Sequence, residues 1–444
     1  MRSTRFAVLG VTGVAAALVL AGCSGGSGGS GSAGGGSGAV DLSKVDGKGK
    51  TLTVWLMNGD LSDETIKAVN DEFEKATGAK VDVQMQQWDG ITTKLTTALA
   101  GNSAPDVIDV GNTQVASYAA TGGLADLTAY RTQLEQGQKW LGGLVDPATV
   151  DGKLYAVPSF AGDRAVVYNK KVWVDAGVTE VPKTYEELTA ALDKIKAKNT
   201  ASDFSAFYLP GQFWYAGMQF VWDAGGEIAT AKGGTWSGGL SGGDAQKGLK
   251  AFTTFQNAYS TPASITVNTN APDQDAIFAN GQTSAVLATA AHVKKIQQAN
   301  PALTDDVIGT FPFPGVSGKN QPVMLGGSDW GVAQKSKNQQ LALAWIKIAA
   351  SPSIQHDYVF GKDNWIPNSE DGIKKAQDAG LTPKQEGFFT AALISKATPA
   401  AADWTTIEGD KTMEEFFQSI AKGEDPASAA KTVDAHIAST LNGK

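Results

Sequence analysis

Cysteine and histidine are scarce in this chain of 444 residues, which has one cysteine and three histidines. A single cysteine, Cys23, excludes an internal disulfide and any zinc site built from several thiolates. The histidines, His292, His356 and His436, lack the spacing of a histidine metal motif, and no acidic segment matches a calcium loop. The sequence therefore predicts no metal and no cofactor.

Positive charge is also scarce. The formal net charge is −8, and no run of five or more Lys and Arg occurs. Because affinity for nucleic acids comes largely from Lys and Arg on phosphates, we expect no nucleic-acid partner. Beyond the N-terminal region, no stretch of apolar residues reaches the length that spans a bilayer.

The N-terminal region has the features of a secretory signal. Arg2 and Arg5 precede an apolar run, residues 6–20, that is too short to span a bilayer comfortably. The run ends in Leu20-Ala21-Gly22-Cys23, which resembles the lipobox of bacterial lipoproteins. In that family the cysteine is acylated and the chain is cut just before it.

This resemblance implies a signal peptide over residues 1–22 and a lipid-anchored Cys23 on the extracytoplasmic face of the cell membrane. Residues 24–38 contain only Gly, Ser and Ala, so we expect a flexible tether over residues 23–47. An ordinary secretory signal followed by an unmodified cysteine is the alternative.

After this region, strand and helix patterns alternate. Runs rich in β-branched and aromatic residues predict strands, and apolar residues at helical spacing predict helices. The predicted strands are 51–57, 80–86 and 106–110, and the predicted helices are 63–77, 91–100 and 113–121. This order is typical of a parallel α/β sheet, and the length favours two domains.

Polar loops follow the three predicted strands. In parallel sheets, ligands bind beyond the carboxyl ends of the strands, so these loops are candidates for a binding site. Ordinary turn formation is the alternative for each loop, because Asn, Gly and Asp favour turns. The side chains concerned are Asn58 and Asp60, Trp88 and Asp89, and Asn112 and Gln114.

Several short segments between residues 50 and 370 carry a resemblance to a known family. Among them are Leu52-Thr53-Val54-Trp55, Ala104-Pro105-Asp106-Val107, Gly122-Gly123-Leu124-Ala125-Asp126-Leu127, Asp151-Gly152-Lys153-Leu154-Tyr155-Ala156-Val157-Pro158, Val167-Tyr168-Asn169-Lys170, Phe278-Ala279-Asn280-Gly281, Gly326-Gly327-Ser328-Asp329 and Ile366-Pro367-Asn368. In this order they resemble the extracellular solute-binding proteins of ABC sugar importers, which include maltose- and chitobiose-binding proteins.

The resemblance implies a two-lobe α/β fold of the periplasmic-binding-protein type II class, with mixed parallel sheets and three crossings between the lobes. The crossings are expected near Pro158, near Gly326-Gly327 and between Asn364 and Pro367. Lobe one would comprise 48–158 and 325–362, and lobe two 159–324 and 363–444.

The same resemblance implies a function. A monomer would bind a sugar between the lobes and deliver it to a membrane permease of an ABC importer. The segments Trp55-Leu56-Met57-Asn58 and Gln87-Trp88-Asp89-Gly90-Ile91 are most similar to the chitobiose and N-acetylglucosamine branch. Maltose, trehalose and cellobiose remain open, because a few side chains redirect specificity.

A sugar site needs aromatic rings for the faces of the sugar and planar polar groups for its rim of hydroxyls. The candidate rings are Trp88, Phe160, Trp214, Tyr215, Trp330 and Trp365, and each ring has packing in the core as its alternative. The candidate polar residues are Asn58, Asp60, Asp89, Asn112, Gln114, Asp163, Arg164, His292 and Asp329. A salt bridge is the alternative for Arg164, and a structural role is the alternative for His292.

Other functions are weighed against sugar capture. A surface glycoside hydrolase needs two carboxylates that flank the scissile bond, and no such pair stands out in the candidate loops. A lipoprotein that binds a metal or siderophore is disfavoured by the scattered histidines. A binding protein for another solute, such as a polyol, remains an alternative, and we expect binding without catalysis.

Overall fold

A computed structural model describes residues 39–101 and 103–443 of the chain. The predicted signal peptide, Cys23 and the Gly/Ser segment to residue 38 lie outside the described residues. Among the helices that are described, none combines the length and the apolar composition needed to cross a membrane.

The strands are short and spread over the whole described chain. In order they are β1 Thr51–Met57, β2 Lys80–Gln86, β3 Val107–Gly111, β4 Thr149–Val150, β5 Lys153–Leu154, β6 Ala156–Gly162, β7 Ala165–Asn169, β8 Ala229–Lys232, β9 Thr235–Gly238, β10 Ala285–Ala288, β11 Ile308–Phe311, β12 Val323–Met324, β13 Gly326–Val332, β14 Ile366–Pro367 and β15 Ser395–Lys396.

Helices fill most of the sequence between the strands. They are α1 Asp63–Thr77, α2 Ile91–Ala100, α3 Val115–Ala120, α4 Arg131–Glu135, α5 Gly142–Val145, α6 Lys170–Asp175, α7 Tyr185–Lys198, α8 Trp214–Asp223, α9 Gly243–Tyr259, α10 Gln274–Ala279, α11 Ala290–Ala299, α12 Gln339–Ala349, α13 Pro352–Ile354, α14 Glu370–Ala379, α15 Glu386–Ala392, α16 Trp404–Gly409, α17 Thr412–Ala421 and α18 Pro426–Leu441.

The predicted alternation of strands and helices is confirmed in the first part of the chain. β1 pairs in parallel with β2 on one side and with β3 on the other. α1 begins after Ser62, whose side chain accepts a hydrogen bond from the Thr65 amide, and ends at Gly78 in the left-handed conformation. The helix predicted over 113–121 is instead a 3-10 turn, Asn112–Gln114, followed by α3.

The fold is the predicted two-lobe α/β class with mixed sheets. A six-stranded sheet has the order β14-β6-β13-β3-β1-β2, in which β13 is antiparallel to both β3 and β6. A second sheet of order β10-β7-β11 is antiparallel and belongs to the other lobe. β6, β13 and β14 lie side by side and form the crossings, so the boundary predicted at Pro158 falls inside β6.

Gly327 in β13 is a position that requires glycine. Its φ is +138°, and a Cβ placed there would lie 2.1 Å from the Phe160 carbonyl oxygen in β6. The register of β13 against β6 shifts between Ser328 and Asp329, directly after this close approach. The glycine therefore lets two crossing strands pack together where the pairing is irregular.

Separate hydrophobic cores support the two lobes. Lobe one buries Leu52, Phe73 and Trp345, and the same cluster includes Leu42 at 3% and Val45 at 8% exposure. The predicted tether over 23–47 is therefore too long at its C-terminal end, because Leu42 and Val45 pack into this core. In lobe two, nearly every residue of α8 is buried, which explains why residues 200–245 have no amphipathic period.

Candidate functional site

A cavity of about 490 Å³ lies between the lobes, at the carboxyl ends of β1, β2 and β3. This volume falls in the range of small-molecule sites. Most of the predicted site residues line the cavity, namely Asp60, Trp88, Asn112, Gln114, Phe160, Asp163, Arg164, Tyr215 and Trp365. The loops that topology selected therefore do converge on one place.

Asp60 organises the aromatic wall of this cavity. Its carboxylate accepts a hydrogen bond from the Trp88 indole nitrogen at 3.1 Å and another from the Ser328 hydroxyl at 2.8 Å. Its backbone carbonyl accepts a hydrogen bond from the Trp365 indole nitrogen at 2.6 Å. One residue therefore orients two indole rings that come from different parts of the chain.

The two indole rings differ in their surroundings. Trp365 stacks on Phe160, with ring centroids 4.6 Å apart and planes inclined by 26°. Phe160 is itself 3% exposed, so it supports Trp365 from behind. Trp88 is 40% exposed, an unusual value for so large an apolar side chain. Both rings thus combine a fixed orientation with surface that a sugar face can cover.

Buried carboxyls lie behind the Asp60 loop. Burial raises the pKa of Asp60, while the hydrogen bonds from Ser328 and Trp88 oppose that effect. Burial and the negative charge of Asp60 hold the pKa of Asp109 well above its usual range, and burial with the charge of Asp109 does the same for Asp329. Burial and mutual repulsion therefore both oppose the simultaneous ionisation of these three acids.

The wall contributed by lobe two is built around Tyr215. The Trp214 ring stacks on Tyr215 with centroids 3.9 Å apart, and the Arg164 guanidinium lies 4.2 Å from the Tyr215 centroid. Two groups so close to one ring must occupy opposite faces. Tyr215 therefore presents its edge and hydroxyl, rather than a ring face, to a ligand, and burial raises its pKa to about 12 so that the hydroxyl stays neutral.

Asp163 and Arg164 stand where the first crossing enters lobe two. Both carboxylate oxygens of Asp163 are buried and lack a hydrogen-bond partner within the described residues. Burial therefore raises the pKa of Asp163 well above its usual range, although the positive charge of Arg164 opposes this. The salt bridge considered for Arg164 is absent from the described part of the chain.

The side-chain amides of Asn112 and Gln114 differ in their hydrogen bonds to the rest of the protein. The Asn112 amide nitrogen donates to the carbonyls of Gly143 at 3.3 Å and Leu325 at 2.8 Å, which fixes the side chain at the cavity floor. The Gln114 side-chain oxygen is buried and has no partner among the described residues. Gln114 is therefore the better placed of the two to pair with a ligand.

The remaining predicted residues do not line the cavity and are corrected here. Asn58 and Asp89 are exposed to solvent beside it. Trp214 is 6% exposed and lies behind Tyr215. His292 pairs instead with Asp275, its Nδ1 lying 2.7 Å from the carboxylate, in agreement with the structural alternative.

Asp329 and Trp330 also belong to the interior. Asp329 is 0% and Trp330 is 1% exposed, and the Trp330 ring packs edge-on against Trp345 at 5.1 Å. Trp55, Trp173 and Trp345 are buried as well. Trp330 therefore cannot offer a ring face to a ligand in this arrangement.

Sequence reasoning missed several residues of the cavity. The most informative is Glu408 in α16, whose carboxylate accepts from the Trp404 indole nitrogen at 3.0 Å and from the Thr113 hydroxyl of lobe one at 3.4 Å. Trp404 and Glu408 are four residues apart in a helix, which was the available signal. The other missed lining residues include Thr289, Ala290, Ala291, Ser328, Asn364, Gln385, Phe388 and Phe389. Within the described residues, no group of His, Cys, Asp or Glu is arranged to hold a metal ion.

The family model described as bacterial extracellular solute-binding protein matches residues 58–356. The diacetylchitobiose binding protein DasA of Streptomyces coelicolor is 37% identical over 391 residues, which cover 87% of this chain and 88% of that protein. The maltodextrin-binding protein MdxE of Bacillus subtilis is 26% identical over 387 residues, 82% of this chain and 84% of that protein.

Solved structures share the fold. The sugar-binding protein MalE from Xanthomonas citri superposes with a TM-score of 0.76 at 22% identity, over 89% of this chain and 98% of that chain. A cyclo/maltodextrin-binding protein complexed with maltotetraose superposes with a TM-score of 0.74 at 20% identity, over 89% of this chain and 99% of that chain.

Proposed function

The chain belongs to the bacterial extracellular solute-binding proteins, and on that premise we propose that it captures a sugar between its lobes for delivery to an ABC importer. The observation that carries the proposal is the interlobe cavity, where Asp60 fixes the indoles of Trp88 and Trp365 opposite Arg164 and Tyr215. Aromatic faces on one side and polar groups on the other match the two chemistries of a sugar.

The preferred ligand in this proposal is a disaccharide of N-acetylglucosamine. Support comes from the relative that is 37% identical along most of both chains and whose name gives diacetylchitobiose as its ligand. The cavity of about 490 Å³ is in keeping with a small oligosaccharide. Maltose, trehalose and cellobiose are the competing sugars, and a polyol is the competing non-sugar ligand.

Capture would couple ligand binding to closure of the lobes. The lobes fluctuate about the crossing strands β6, β13 and β14, and a sugar that touches both walls stabilises the closed state. The closed form is then recognised by the membrane permease, whose partner supplies the energy for import. An affinity near micromolar, about 8 kcal/mol, suits a receptor that must also release its ligand.

Thermal denaturation with a panel of ligands tests this function. A sugar present at 100 times its dissociation constant adds about 2.7 kcal/mol to the free energy of unfolding. The panel contains N,N′-diacetylchitobiose, cellobiose, maltose, trehalose and mannitol. We expect the largest shift with diacetylchitobiose. A shift with mannitol alone would replace the sugar by a polyol, and no shift with any sugar would contradict the proposal.

Binding without catalysis is part of the proposal. A glycoside hydrolase needs a carboxylate that is free to donate a proton and a second carboxylate across the bond. In the cavity, both Asp60 oxygens accept hydrogen bonds from protein groups, and one Glu408 oxygen accepts from Trp404. Asp163 is the lining carboxyl without a hydrogen-bond partner among the described residues, so it is the acid that turnover would implicate. Chromatography of a disaccharide incubated with purified protein should recover it intact, whereas monosaccharide products would favour the hydrolase.

Attachment to the outer face of the cell membrane through Cys23 completes the proposal. Cys23 follows the Leu-Ala-Gly motif and precedes the Gly/Ser segment. Two acyl chains would hold the protein at the membrane firmly. A Cys23→Ala variant should leave the detergent phase in which the wild type partitions, and equal partitioning would contradict the anchor. Size-exclusion chromatography of the protein without its lipid should give a monomer.

A further inference from the structure

We propose that Arg164 and Glu408, which line the cavity together with Tyr215, recognise the acetamido group of the ligand. Arg164 would donate to the acetamido carbonyl, and Glu408 would accept from the acetamido N–H. This inference rests on the proposed function, because it assigns the residues that choose among sugars in the same cavity.

Arg164 has donors to offer. Its guanidinium lies over the rings of Tyr215 at 4.2 Å and Phe213 at 5.6 Å, which hold it in place without using its N–H groups. Within residues 39–101 and 103–443, it makes neither an ion pair nor a hydrogen bond. A guanidinium carries five donors, and a cavity-lining one without acceptors is stabilised by a ligand carbonyl.

Glu408 has the complementary capacity to accept. One carboxylate oxygen accepts from the Trp404 indole nitrogen at 3.0 Å, and the other is 3.4 Å from the Thr113 hydroxyl. The second distance exceeds the 2.7–2.8 Å that is usual between a hydroxyl and an oxygen. Burial raises the pKa of Glu408, which indicates that its charge is incompletely stabilised. A ligand N–H is a stronger partner for this oxygen than Thr113.

The two residues contact the same aromatic cluster around Tyr215. Arg164 lies 4.2 Å from the Tyr215 ring centroid. Glu408 joins the cluster through its hydrogen bond with Trp404. The Trp404 ring lies 6.4 Å from Trp214, the ring that stacks on Tyr215. An amide presents one carbonyl acceptor and one N–H donor, and it matches a guanidinium and a carboxylate at the same time. A hydroxyl of a glucose unit can also donate and accept, but it does so through one atom, whereas the amide spreads its donor and acceptor over two and reaches both charged groups.

Polar groups of the site that are left without a hydrogen-bond partner discriminate strongly between two sugars. A site that pairs with a polar group of the substrate rejects an analogue that lacks it far more strongly than a merely apolar pocket does. Cellobiose and N,N′-diacetylchitobiose have the same linkage and differ in the group at C2 of each ring. The wild type should therefore bind diacetylchitobiose about 100-fold more tightly than cellobiose or better.

Isothermal titration of both disaccharides into the Glu408→Gln variant tests whether Glu408 acts as a hydrogen-bond acceptor. Glutamine has nearly the same size, so any effect of volume alone is kept constant. The glutamine carbonyl oxygen would keep the hydrogen bond from Trp404, so its amino group would face the ligand. An acetamido N–H cannot accept from that amino group, whereas a hydroxyl can. We expect the affinity for diacetylchitobiose to fall about 10–100-fold and that for cellobiose to change less than about threefold.

Arg164→Lys should act in the same direction, because lysine keeps the charge and loses the fork of donors. Glu415→Gln is the matched control, since Glu415 is exposed on α17 and should leave both affinities unchanged. Thermal unfolding without ligand checks that each variant is folded.

The outcomes separate the two proposals. A wild type that binds neither disaccharide overturns this inference, and the proposed function falls with it only if maltose and trehalose also fail to bind. A wild type that binds both equally overturns the inference alone, as does a Glu408→Gln variant that loses the same factor for both disaccharides or for neither.

Discussion

The indole nitrogen of Trp88 donates a hydrogen bond to the carboxylate of Asp60 over 3.1 Å. Asp60 follows β1 and Trp88 follows β2, so the bond joins the loops of two neighbouring parallel strands. Ser328 of the crossing strand β13 donates to the same carboxylate. The orientation of an exposed ring in the cavity is thereby tied to a strand that connects the lobes.

Asp60→Asn should weaken sugar binding without unfolding the protein. An asparagine has one oxygen to accept with, and its amino group would face one of the two donors, Trp88 or Ser328. Hydrogen bonds to charged groups contribute about 1.5–3 kcal/mol, so the dissociation constant should rise roughly 10–100-fold. Titration calorimetry with the disaccharide that binds most tightly measures the change.

Asp89→Asn is the matched control for this change. Asp89 follows Trp88 in the same loop, but it is exposed and does not line the cavity. Its replacement should leave the affinity within about twofold, as for most surface substitutions. Equal losses in the two variants would mean that Asp60 acts through the net charge near the cavity rather than by orienting Trp88.

Trp365→Phe should lower affinity more than stability. Phenylalanine can still stack on Phe160 but loses the hydrogen bond to the Asp60 carbonyl, so the ring that faces the sugar is smaller and less fixed. We expect about a tenfold loss of affinity for Phe and a larger loss for Trp365→Ala. If the alanine variant bound the sugar with unchanged affinity, Trp365 would not be a residue that contacts the ligand.

Trp330→Phe should show the opposite pattern. Trp330 is 1% exposed and packs against Trp345, so a smaller ring leaves a void in the core of lobe one. The free energy of unfolding should fall by about 1–3 kcal/mol, while the affinity stays within about twofold. Chemical denaturation and titration of the same preparation measure both quantities, and a large loss of affinity at intact stability would restore Trp330 to the site.

The position of the site could be predicted from the sequence, because it depends on the order of the strands, and local sequence patterns predict that order well. The carboxyl ends of β1, β2 and β3 bring Asp60, Trp88 and Asn112 to one cavity, as the alternating pattern predicted. The direction of individual side chains is not set by strand order. Asn58 and Asp89 lie in the same loops but are exposed to solvent, because the irregular backbone of a loop sets the direction of each side chain individually.

Contacts between distant parts of the chain limited the rest of the prediction. The sequence predicts that Trp330 faces the ligand because it comes just after the crossing expected at Gly326-Gly327, but β13 continues as a strand through it and buries it. Glu408 enters the cavity from a short helix that is almost 300 residues away from Thr113 along the chain. The four-residue spacing of Trp404 and Glu408 indicates only that these two side chains meet, whereas the approach of Glu408 to Thr113 arises from how the C-terminal helices pack.

Gly327→Ala should destabilise the protein strongly. Its φ of +138° disfavours any side chain, and the new Cβ would lie 2.1 Å from the Phe160 carbonyl oxygen. The strands β6 and β13 would have to separate at a crossing, which should cost about 2 kcal/mol or more. Because Phe160 supports Trp365, sugar affinity should fall as well. Thermal unfolding and titration calorimetry measure the two effects.

Gly326→Ala provides the comparison for this substitution. A Cβ at Gly326 would lie 3.7 Å from the nearest atom, the Gly162 carbonyl oxygen, which is an ordinary contact. The variant should unfold within about 1 kcal/mol of the wild type. If both variants lost a similar free energy of unfolding, the cause would be a general loss of chain flexibility and not the close approach at Gly327.

Asp329→Asn should change how stability depends on pH. Burial and the charge of Asp109 hold the pKa of Asp329 well above its ordinary value, whereas in the unfolded chain it titrates near about 3.9. Between these two values the folded protein holds a proton that the unfolded chain has lost. The contribution of Asp329 to stability therefore declines as the pH rises from about 4 through the folded pKa.

An asparagine at 329 cannot ionise, so this decline is absent from the variant. Relative to the wild type, its free energy of unfolding should increase as the pH rises from about 4 to about 8. Urea unfolding of both proteins across that range measures the difference, with the exposed Asp89→Asn as a control whose difference stays flat. A constant difference between Asp329→Asn and wild type would mean that Asp329 is ionised in the folded protein and that a compensating charge holds it so.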